Sequence, residues 1–498
     1  MRFVEQQFFP NSDRTELVVD VTLPQNASIA ETSAQMARFA DALQGDDRAV
    51  IWSTYVGRGA PRFLLSYDVP TQAPNMGQIV IQTPSVEARN SLRRDLEALA
   101  RRDFPGADIF VKLLEIGPPV GRPVQYRISG PDIGTLRDRA RELAAVVAED
   151  DRLGSIVLDW NEPIRVVRVQ ILEDQARRLG ISQSDIGSAL AAIYDGTTVT
   201  ELRDGQYLVD IVARGDAESR GTVEGLPGLQ LSAGDGRAIP LRAVARFDWD
   251  VEQPVVHQRD RRPTVTVSAA IVGGAQPATI VADLGQRIDE FAATLPRGYA
   301  VEVGGTVETS ADSQAPIAAV VPLMFFIMLT LIMVQVQSFR LAFVVICVAP
   351  LGLIGVVAAL VPSGAPLGFV AILGVLALVG ILIRNAIILV DEIQSLRAAG
   401  HSAWDAVFDA SDARARPILL TAAAASLALI PISRQIFWGP MAYAMIGGII
   451  AGTVITLVFA PALYLAVFRV KEGGDGDYPR HAAPQGQGAG AGTDEGMT

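Results

Sequence analysis

Residues 367–390 read LGFVAILGVLALVGILIRNAIILV, an apolar run that is interrupted by a single charge, Arg384. A bilayer core of about 30 Å is crossed by about 20 apolar residues in an α-helix, so this run predicts a transmembrane helix. Three further runs reach that length and a fourth is shorter; in chain order the four are 316–336, 341–361, 417–432 and 441–468. In the last run, Gly448 and Gly452 form a GxxxG pair, which predicts close approach of a neighbouring helix. The sequence therefore predicts five transmembrane helices between residues 316 and 470.

Charged residues are distributed unevenly along the chain of 498 residues. Seven arginines and five acidic residues occur between residues 316 and 470, whereas the whole chain holds 42 basic and 54 acidic residues. This segregation excludes an ordinary cytosolic enzyme and predicts a large soluble part followed by a membrane part. The net charge of −12 argues against nucleic acid as a partner.

The positions of the basic residues predict the orientation, because such residues favour the cytoplasmic side of a membrane. Loops on one side carry most of them, whereas the opposite short loops carry only Arg434; the first set is Arg340, Arg397, Arg414, Arg416, Arg469, Lys471 and Arg480. We therefore expect residues 1–315 in the periplasm and the C-terminus in the cytoplasm of a multi-pass inner-membrane protein. The first 20 residues contain no apolar signal segment. Hence we expect an upstream transmembrane helix, either in a longer protein or in a partner chain.

The soluble part alternates strands with amphipathic helices. Its first unit is assigned to the βαββαβ order of a ferredoxin-like fold, although five strands are predicted, at 17–23, 51–56, 62–67, 78–83 and 109–114, with helices at 29–44 and 85–103. A second such unit begins at 124–129 and resumes at 263–304 after an insert. The fold class is thus an α+β membrane protein. Its predicted domains are 1–122, 123–163 with 253–308, the insert 164–252, the helices of 316–470, and a disordered Gly-rich tail at 471–498.

Nothing in the sequence is typical of an enzyme active site. The three histidines are scattered, Cys347 is the single cysteine, and neither a metal-ligand spacing nor a phosphate-binding loop is present. We therefore expect neither an enzyme nor a bound cofactor. Any active transport would need a source of free energy other than ATP bound to this chain.

Arg384 is the most informative residue of the membrane part. It lies six residues from the end of its predicted span, about 9 Å deep at about 1.5 Å per residue. Its side chain could reach the interface, or it could pair with a carboxylate, since intramembrane charges are costly and usually functional. Ala377 and Gly380 lie on the same helix face and indicate close packing against another helix. The nearest acidic residue, Asp391, is at the span's end, so we expect the counter-charge on helices outside this chain.

Other polar and aromatic residues each have two interpretations. Asn385 could take part in the same chemistry or form a helix–helix hydrogen bond. Arg414 could be an interface anchor, and the Thr421 hydroxyl could bond to its own helix. Tyr55, Phe63 and Tyr67, with Trp52, lie near the Gly-containing loop at 57–61 and suit a path for an apolar ligand, although aromatics in such positions more often belong to a hydrophobic core.

With these residues in place, the chain resembles the C-terminal half of a resistance-nodulation-division (RND) multidrug efflux transporter of the acriflavine-resistance type. The resemblance runs from near residue 1 to about 470. The stretches that carry it are EQQFFPNSDRTELVVDVTLP (5–24), LEDQARRLGISQSDIGSALAAIYDG (172–196), LPRGYAVEVGGTVETSADS (295–313), VQSFRLAFVVICVAPLGLIGV (336–356), GILIRNAIILVDE (380–392) and ARARPILLT (413–421). The resemblance implies two porter subdomains, a docking subdomain inserted in the second, and helices eight to twelve of twelve.

The resemblance also implies a proton relay. Arg384 occupies the place of the family's tenth-helix relay lysine, Asn385 sits beside it, and Arg414 and Thr421 match the eleventh-helix positions. The family's paired aspartates belong to a fourth helix, which this chain lacks. Arginine, unlike lysine, does not lose its proton in proteins. The exchange therefore implies a fixed cation, with only the carboxylates titrating.

The implied function is proton-driven export of drugs or other amphiphilic compounds across the bacterial inner membrane, with a role in antibiotic resistance. The implied partners are an N-terminal half with the acidic pair, a trimer, a periplasmic adaptor and an outer-membrane channel. One alternative is a metal exporter, whose soft-metal relays need paired Met or Cys; beyond the start, the soluble part offers only Met36 and Met76. The others are a lipid- or protein-exporting relative and a truncated remnant that acts only as a scaffold.

Overall fold

The computed structural model describes residues 7, 9–10, 12–160, 162–216, 220, 223–233 and 236–472. The predicted disordered tail therefore lies almost entirely outside the described residues. Contacts divide the chain into two compact units, Trp160–Val256 and the rest of the chain.

The first sheet has four antiparallel strands in the order β2-β3-β1-β4. These are β1 (Glu16–Thr22), β2 (Ile51–Val56), β3 (Met76–Gln82) and β4 (Asp108–Leu113), and they are connected through α1 (Ile29–Asp41) and α2 (Val86–Asp103). Alternate residues of β1, Leu17, Val19 and Val21, are buried in one core with Phe39 of α1 and Leu92 of α2. Period-two burial on the strands and an apolar stripe on each helix produce the predicted ferredoxin-like layer.

The strand predicted at 62–67 is wrong, because this segment folds back on itself. The backbone N–H of Tyr67 donates to the carbonyl of Leu64 at 3.1 Å, and Arg62 Nε donates to the carbonyl of Tyr67, also at 3.1 Å. Gly57, at a φ of 72°, turns the chain away at the end of β2. The local turn satisfies backbone groups that a strand would have paired in a sheet.

The second sheet begins with β5 (Val124–Ser129), α3 (Ile133–Ala148) and β6 (Leu153–Leu158) before the chain enters Trp160–Val256. The described residues of that unit form three antiparallel strand pairs and two α-helices: β7 (Ile164–Ile171), α4 (Glu173–Arg178), α5 (Gln183–Tyr194), β8 (Thr197–Asp204), β9 (Tyr207–Ala213), β10 (Gln230–Ser232), β11 (Ala238–Pro240) and β12 (Ala245–Glu252). The pairs are β7–β12, β8–β9 and β10–β11. Ile164 and Glu252, the predicted limits of the insert, are opposite each other at one end of the β7–β12 pair.

The second sheet resumes with β13 (Gln258–Arg259), β14 (Arg262–Ile271), α6 (Pro277–Ala293) and β15 (Ala300–Gly304). Strand β14 pairs with β5, β6 and the short β13, and β5 pairs with β15. The resulting order β6-β14-β5-β15 repeats that of the first sheet. The predicted α+β class with two ferredoxin-like units is confirmed.

The membrane part consists of α7 (Gly305–Val336), α8 (Phe339–Val348), α9 (Gly352–Ser363), α10 (Phe369–Ala398), α11 (Ala403–Ser433) and α12 (Gly439–Val467). A short turn around Pro350 joins α8 to α9, and together they form one span. The described residues thus contain five helices that are long and apolar enough to cross a membrane, as predicted. The short predicted span 417–432 belongs to α11, which is 31 residues long.

Helix α12 is the centre of this bundle. A Cβ on Gly448 would lie 2.1 Å from Leu378 Cδ2 of α10, and one on Gly452 would lie 2.3 Å from Leu382 Cδ2. The close approach predicted from the GxxxG pair is therefore confirmed. Coverage by the rest of the chain is uneven, since 39% of the most apolar window is buried in α10 and in α12, compared with 6% in α7 and 11% in α11.

Candidate functional site

Helix α10 carries Arg384 and Asn385 and has two contrasting faces. One face packs on α12 and α9 through Gly374, Leu378 and Leu382, with Leu378 and Leu382 no more than 1% exposed. The other face repeats every three or four residues, as one side of an α-helix does. We call this second face the open face; it comprises the exposed residues Leu373, Ala377, Gly380, Arg384, Ile388 and Asp391.

Arg384 makes no hydrogen bond or ion pair with any residue that the structure describes. A Cβ on Gly380, one turn earlier, would meet no atom within 4 Å. The helix that we expected to pack against Ala377 and Gly380 is therefore not found in the described part of this chain. The counter-charge of Arg384 remains a prediction, as does the helix that would bring it.

Asn385, the neighbour of Arg384, is only 5% exposed. Among the described residues we find no hydrogen bond to its side-chain amide. The alternative of a helix–helix hydrogen bond within the described bundle is therefore not supported. Any role of Asn385 in the same chemistry as Arg384 remains a prediction.

Arg414 of α11 is paired within the chain. Its Nε donates to Glu392 Oε2 of α10 at 3.0 Å, and a terminal guanidinium nitrogen donates to the same oxygen. The two side chains are 40% and 23% exposed. Arg414 therefore links the last turns of α10 to α11, a contact that the interpretation as an interface anchor did not anticipate.

Thr421 lies on the same side of α11 as Arg414, seven residues further on. Its hydroxyl donates to the carbonyls of Pro417 at 3.0 Å and Ile418 at 2.9 Å, so it bonds to its own helix. Because α10 and α11 run in opposite directions, the contact of Glu392 with Arg414 places Asn385 at about the level of Thr421.

The four predicted relay residues thus occupy two levels. We call Arg384, Asn385 and Thr421 the relay level, and Glu392 with Arg414 the end level. At about 1.5 Å per residue, the two levels are about 10 Å apart along the helices. Sequence reasoning missed Glu392, because a partner 22 residues away on the next helix depends on how far the two helices are staggered.

The predicted substrate-path aromatics lie beside β2. Tyr67 is 3% exposed, and its hydroxyl donates to the side-chain carbonyl of Gln78. The amide nitrogen of Gln78 donates to Asp20, which also accepts from Lys112. Burial raises the pKa of Tyr67 to about 12, so it remains a neutral donor. This residue is therefore part of a satisfied internal network.

The other two aromatics differ in exposure. Half-buried Tyr55 packs with Tyr67, Val18 and Ala60. Phe63 is 42% exposed, and its ring centroid lies 4.9 Å from that of Tyr67. Of the three predicted residues, Phe63 alone offers a large exposed apolar surface, and Trp52 packs against the core of the first unit.

A cavity of about 560 Å³ lies where the two sheets meet the membrane helices, and the predicted aromatics do not line it. Its lining mixes apolar and polar side chains, among them Phe9, Phe110, Glu115, Gln314, Leu367 and Ile372. Burial raises the pKa of Glu115, whose carboxylate accepts from the backbone of Val120 at 2.9 Å. The sequence contained no signal for this cavity, because its walls come from segments far apart in the chain.

Two proteins, one named for cobalt, zinc and cadmium resistance and one for cation efflux, are similar to this chain. The cobalt-zinc-cadmium resistance protein CzcA of Cupriavidus metallidurans is 27% identical over 380 residues, which cover 73% of this chain and 35% of that protein. The cation efflux system protein CzcA of an Alcaligenes species matches with the same identity and coverage.

Two crystal forms of a heavy metal efflux pump are similar in fold. Each has a TM-score of 0.74 and covers 93% of this chain and 48% of the pump, at 22% and 24% identity. The chain thus spans about a third of the length of the curated relatives and about half of the solved pump.

The AcrB/AcrD/AcrF family matches residues 1–468, nearly the whole chain. This match confirms the resemblance found in the quoted stretches, and it covers both the ferredoxin-like units and the membrane helices. The chain therefore belongs to the AcrB/AcrD/AcrF family of RND efflux transporters.

Proposed function

We propose that this chain is part of a proton-driven exporter in which Arg384 is the fixed cation of the proton relay. The observation that carries the proposal is the position of Arg384 on a helix face that is otherwise small and apolar from Leu373 to Ile388, where no described residue forms an ion pair with it. A guanidinium facing lipid is costly, and intramembrane charges usually face a protein interior or a water-filled cavity. We propose that a neighbouring helix covers this face and contributes carboxylates at the relay level.

Protonation of those carboxylates would change how the helices pack. Two unit charges about 4 Å apart attract each other by about 4 kcal/mol at an effective dielectric constant of about 20. Neutralising the carboxylate removes most of this attraction, which is enough to shift the balance between two packings. Because arginine keeps its proton, the carboxylates alone titrate in this scheme. The proton gradient would thus supply the free energy for export.

The proposed orientation of the chain in the membrane is based on the positions of the basic residues. Arg340, Arg397, Arg414 and Arg469 lie at ends or loops that would then face the cytoplasm, and the two sheets would face the periplasm. Protons would enter the relay level from the periplasmic side and leave past the end level.

An amphiphilic compound is our first candidate for the cargo. The exposed ring of Phe63 and the mixed apolar and polar lining of the 560 Å³ cavity support it. A metal cation is the second candidate, because two similar proteins are named for cobalt, zinc and cadmium resistance or cation efflux. The described residues contain no group of three or more His, Cys, Asp or Glu suited to a metal ion, and Met36 is buried in the first core.

The assembly is proposed to be a trimer that works with an N-terminal half, a periplasmic adaptor and an outer-membrane channel. Hairpin β8–β9 supports a protein contact, because all of its residues are exposed and several are large and apolar, such as Leu202, Tyr207, Leu208 and Ile211. Exposed apolar surface of this kind marks interaction sites. A scaffold without transport activity is the alternative that the experiments below address.

The deciding experiment replaces Arg384 in the complete transporter, with export measured in cells energised by a proton gradient. Arg384→Ala should reduce export to background, whereas Arg384→Lys should retain it because a cation remains. Arg416→Ala is the matched control, since it removes the same charge from an exposed position on α11. Full export by Arg384→Ala would discard the relay role, and absence of export by the unaltered transporter would favour the scaffold.

The cargo is tested in the same cells with a fluorescent amphiphile and with cobalt, zinc and cadmium ions. If the transporter exports the dye, and if this export decreases in the Phe63→Ala variant, the result supports an amphiphile as the cargo. Metal resistance without dye export would replace that candidate with the metal cation.

A further inference from the structure

The proposed relay assigns no function of its own to the ion pair between Glu392 and Arg414, although Arg414 is one of the four predicted relay residues. Two guanidinium nitrogens of Arg414 donate to one carboxylate oxygen, Oε2 of Glu392. The other oxygen, Oε1, accepts no hydrogen bond from any residue that the structure describes. A pair with two donors on a planar guanidinium has a defined geometry, so Glu392 determines where the charge of Arg414 lies.

The two levels are close enough to interact electrostatically. The end level lies about 10 Å from the relay level along two antiparallel helices. Paired with Glu392, Arg414 contributes little net charge to the relay level. Without Glu392, a full positive charge would remain at that distance, and arginine cannot remove it by losing a proton.

We propose that Glu392 is a positioning residue for proton coupling, holding and neutralising Arg414 so that the carboxylates facing Arg384 experience one cation and not two. This inference rests on the proposed relay. In this inference, Glu392 acts through Arg414 and does not itself bind the transported proton.

Other charged groups belong to α10 or to the elements beside it, and the described ion pairs of Glu392 include none of them. Helix α10 contributes Asp391 and Arg397. The neighbouring elements contribute Asp409, Asp412 and Arg416 from α11, Arg340 from α8, and Arg469 and Lys471 after α12. The guanidinium of Arg340 lies over the ring of Phe468, and Asp409 contacts His401 at 3.1 Å. Arg414 is therefore the partner whose charge Glu392 controls.

The predicted effect is a shift in the pH dependence of export. In Glu392→Gln, the unpaired Arg414 makes it harder for the relay carboxylates to take up a proton. At an effective dielectric constant of about 20 and about 10 Å, the acidic limb of the profile shifts toward lower pH by up to about one pH unit, and the 40% exposure of the Arg414 side chain reduces this shift through solvent screening. Glu392→Asp keeps the charge and should leave the profile within a few tenths of a unit of the original.

The experiment measures export against pH for the complete transporter in proteoliposomes, with protein amount checked in each preparation. Asp412→Asn is the matched control: it removes the same charge two residues from Arg414, but Asp412 is exposed and its charge is screened by solvent. The exchanged pair Glu392→Arg with Arg414→Glu should restore the original profile, because the cation again has its counter-ion.

Three results would overturn the inference. One is a Glu392→Gln profile that coincides with that of Asp412→Asn; another is a shift that persists in the exchanged pair. A loss of export with no shift, rescued by neither Glu392→Asp nor the exchange, would assign a purely structural role and also overturn it. If Arg384→Ala abolishes export while Glu392→Gln behaves like the control, this inference fails and the relay stands; full export by Arg384→Ala removes the relay itself.

Discussion

The two faces of α10 differ in how small residues are used. We call the face with Gly374, Leu378 and Leu382 the packed face, in contrast to the open face. On the packed side, Gly448 and Gly452 of α12 receive Leu378 and Leu382, both nearly fully buried. On the open side, a Cβ on Gly380 would meet no described atom beyond its own helix backbone within 4 Å, although Gly380 lies one turn from a charged residue. Glycine in a helix interior costs up to about 1 kcal/mol relative to alanine. On the packed face, the close contact between α10 and α12 offsets the cost of the glycines in this bundle.

The same contrast applies to whole helices. Helix α12 packs against α8, α9, α10 and α11, and 39% of its most apolar window is buried, whereas the corresponding values are 6% in α7 and 11% in α11. Lipid could cover apolar residues such as Leu420 and Leu427, which are 71% and 64% exposed. Lipid is a poor environment for Arg384. The difference supports the proposal that another helix covers the open face in the working transporter.

The largest expected effect comes from disturbing the packed face. In Gly452→Leu, a whole side chain would occupy the space of Leu382 Cδ2, which lies only 2.3 Å from the point where a Cβ on residue 452 would stand. Overpacking of this kind costs about 1–3 kcal/mol or more. We expect a sharp drop in the fraction of protein that stays monodisperse after detergent extraction. A normal yield would mean that α10 and α12 are not packed as described.

The same substitution on the open face should separate folding from transport. Gly380→Leu meets free space within this chain, so the α10–α12 contact should survive and the protein should be recovered in normal amounts. If another helix covers this face, the added side chain keeps it away from Arg384. Export should then fall about tenfold or more, the effect of about 1.4 kcal/mol. Normal export in dye or metal assays would indicate that lipid covers the face.

A smaller effect is expected at Thr421. Its hydroxyl is bonded to carbonyls of its own helix, so Thr421→Val should leave folding intact. If the hydroxyl also serves the relay level, Thr421→Val should reduce export a few-fold, which corresponds to about 1 kcal/mol, and Thr421→Ser should restore it. Equal export by all three proteins would remove Thr421 from the relay and leave Arg384 and Asn385.

The sequence was most informative where periodicity and hydropathy report directly on burial. The βαββαβ order of both units and the five apolar helices follow from such patterns. The strand predicted at 62–67 failed because local hydrogen bonds of Arg62 and Tyr67 compete with sheet pairing. Apolar composition alone does not register that competition.

The candidate site was only partly predictable for a different reason. A charge in an apolar run identified Arg384, because such charges are rare. The Glu392–Arg414 pair depends on the stagger of two helices, and the cavity depends on how distant segments meet. Neither the stagger nor the meeting of distant segments leaves a pattern along a single chain.

The most direct test is a structure of the complete transporter in a lipid bilayer that shows the surroundings of the Arg384 side chain. Our account predicts that a helix covers Ala377 and Gly380 and that a carboxylate oxygen lies within about 4 Å of the Arg384 guanidinium. A guanidinium that extends to the lipid headgroups, with no acidic side chain from any segment beside it, would contradict the account.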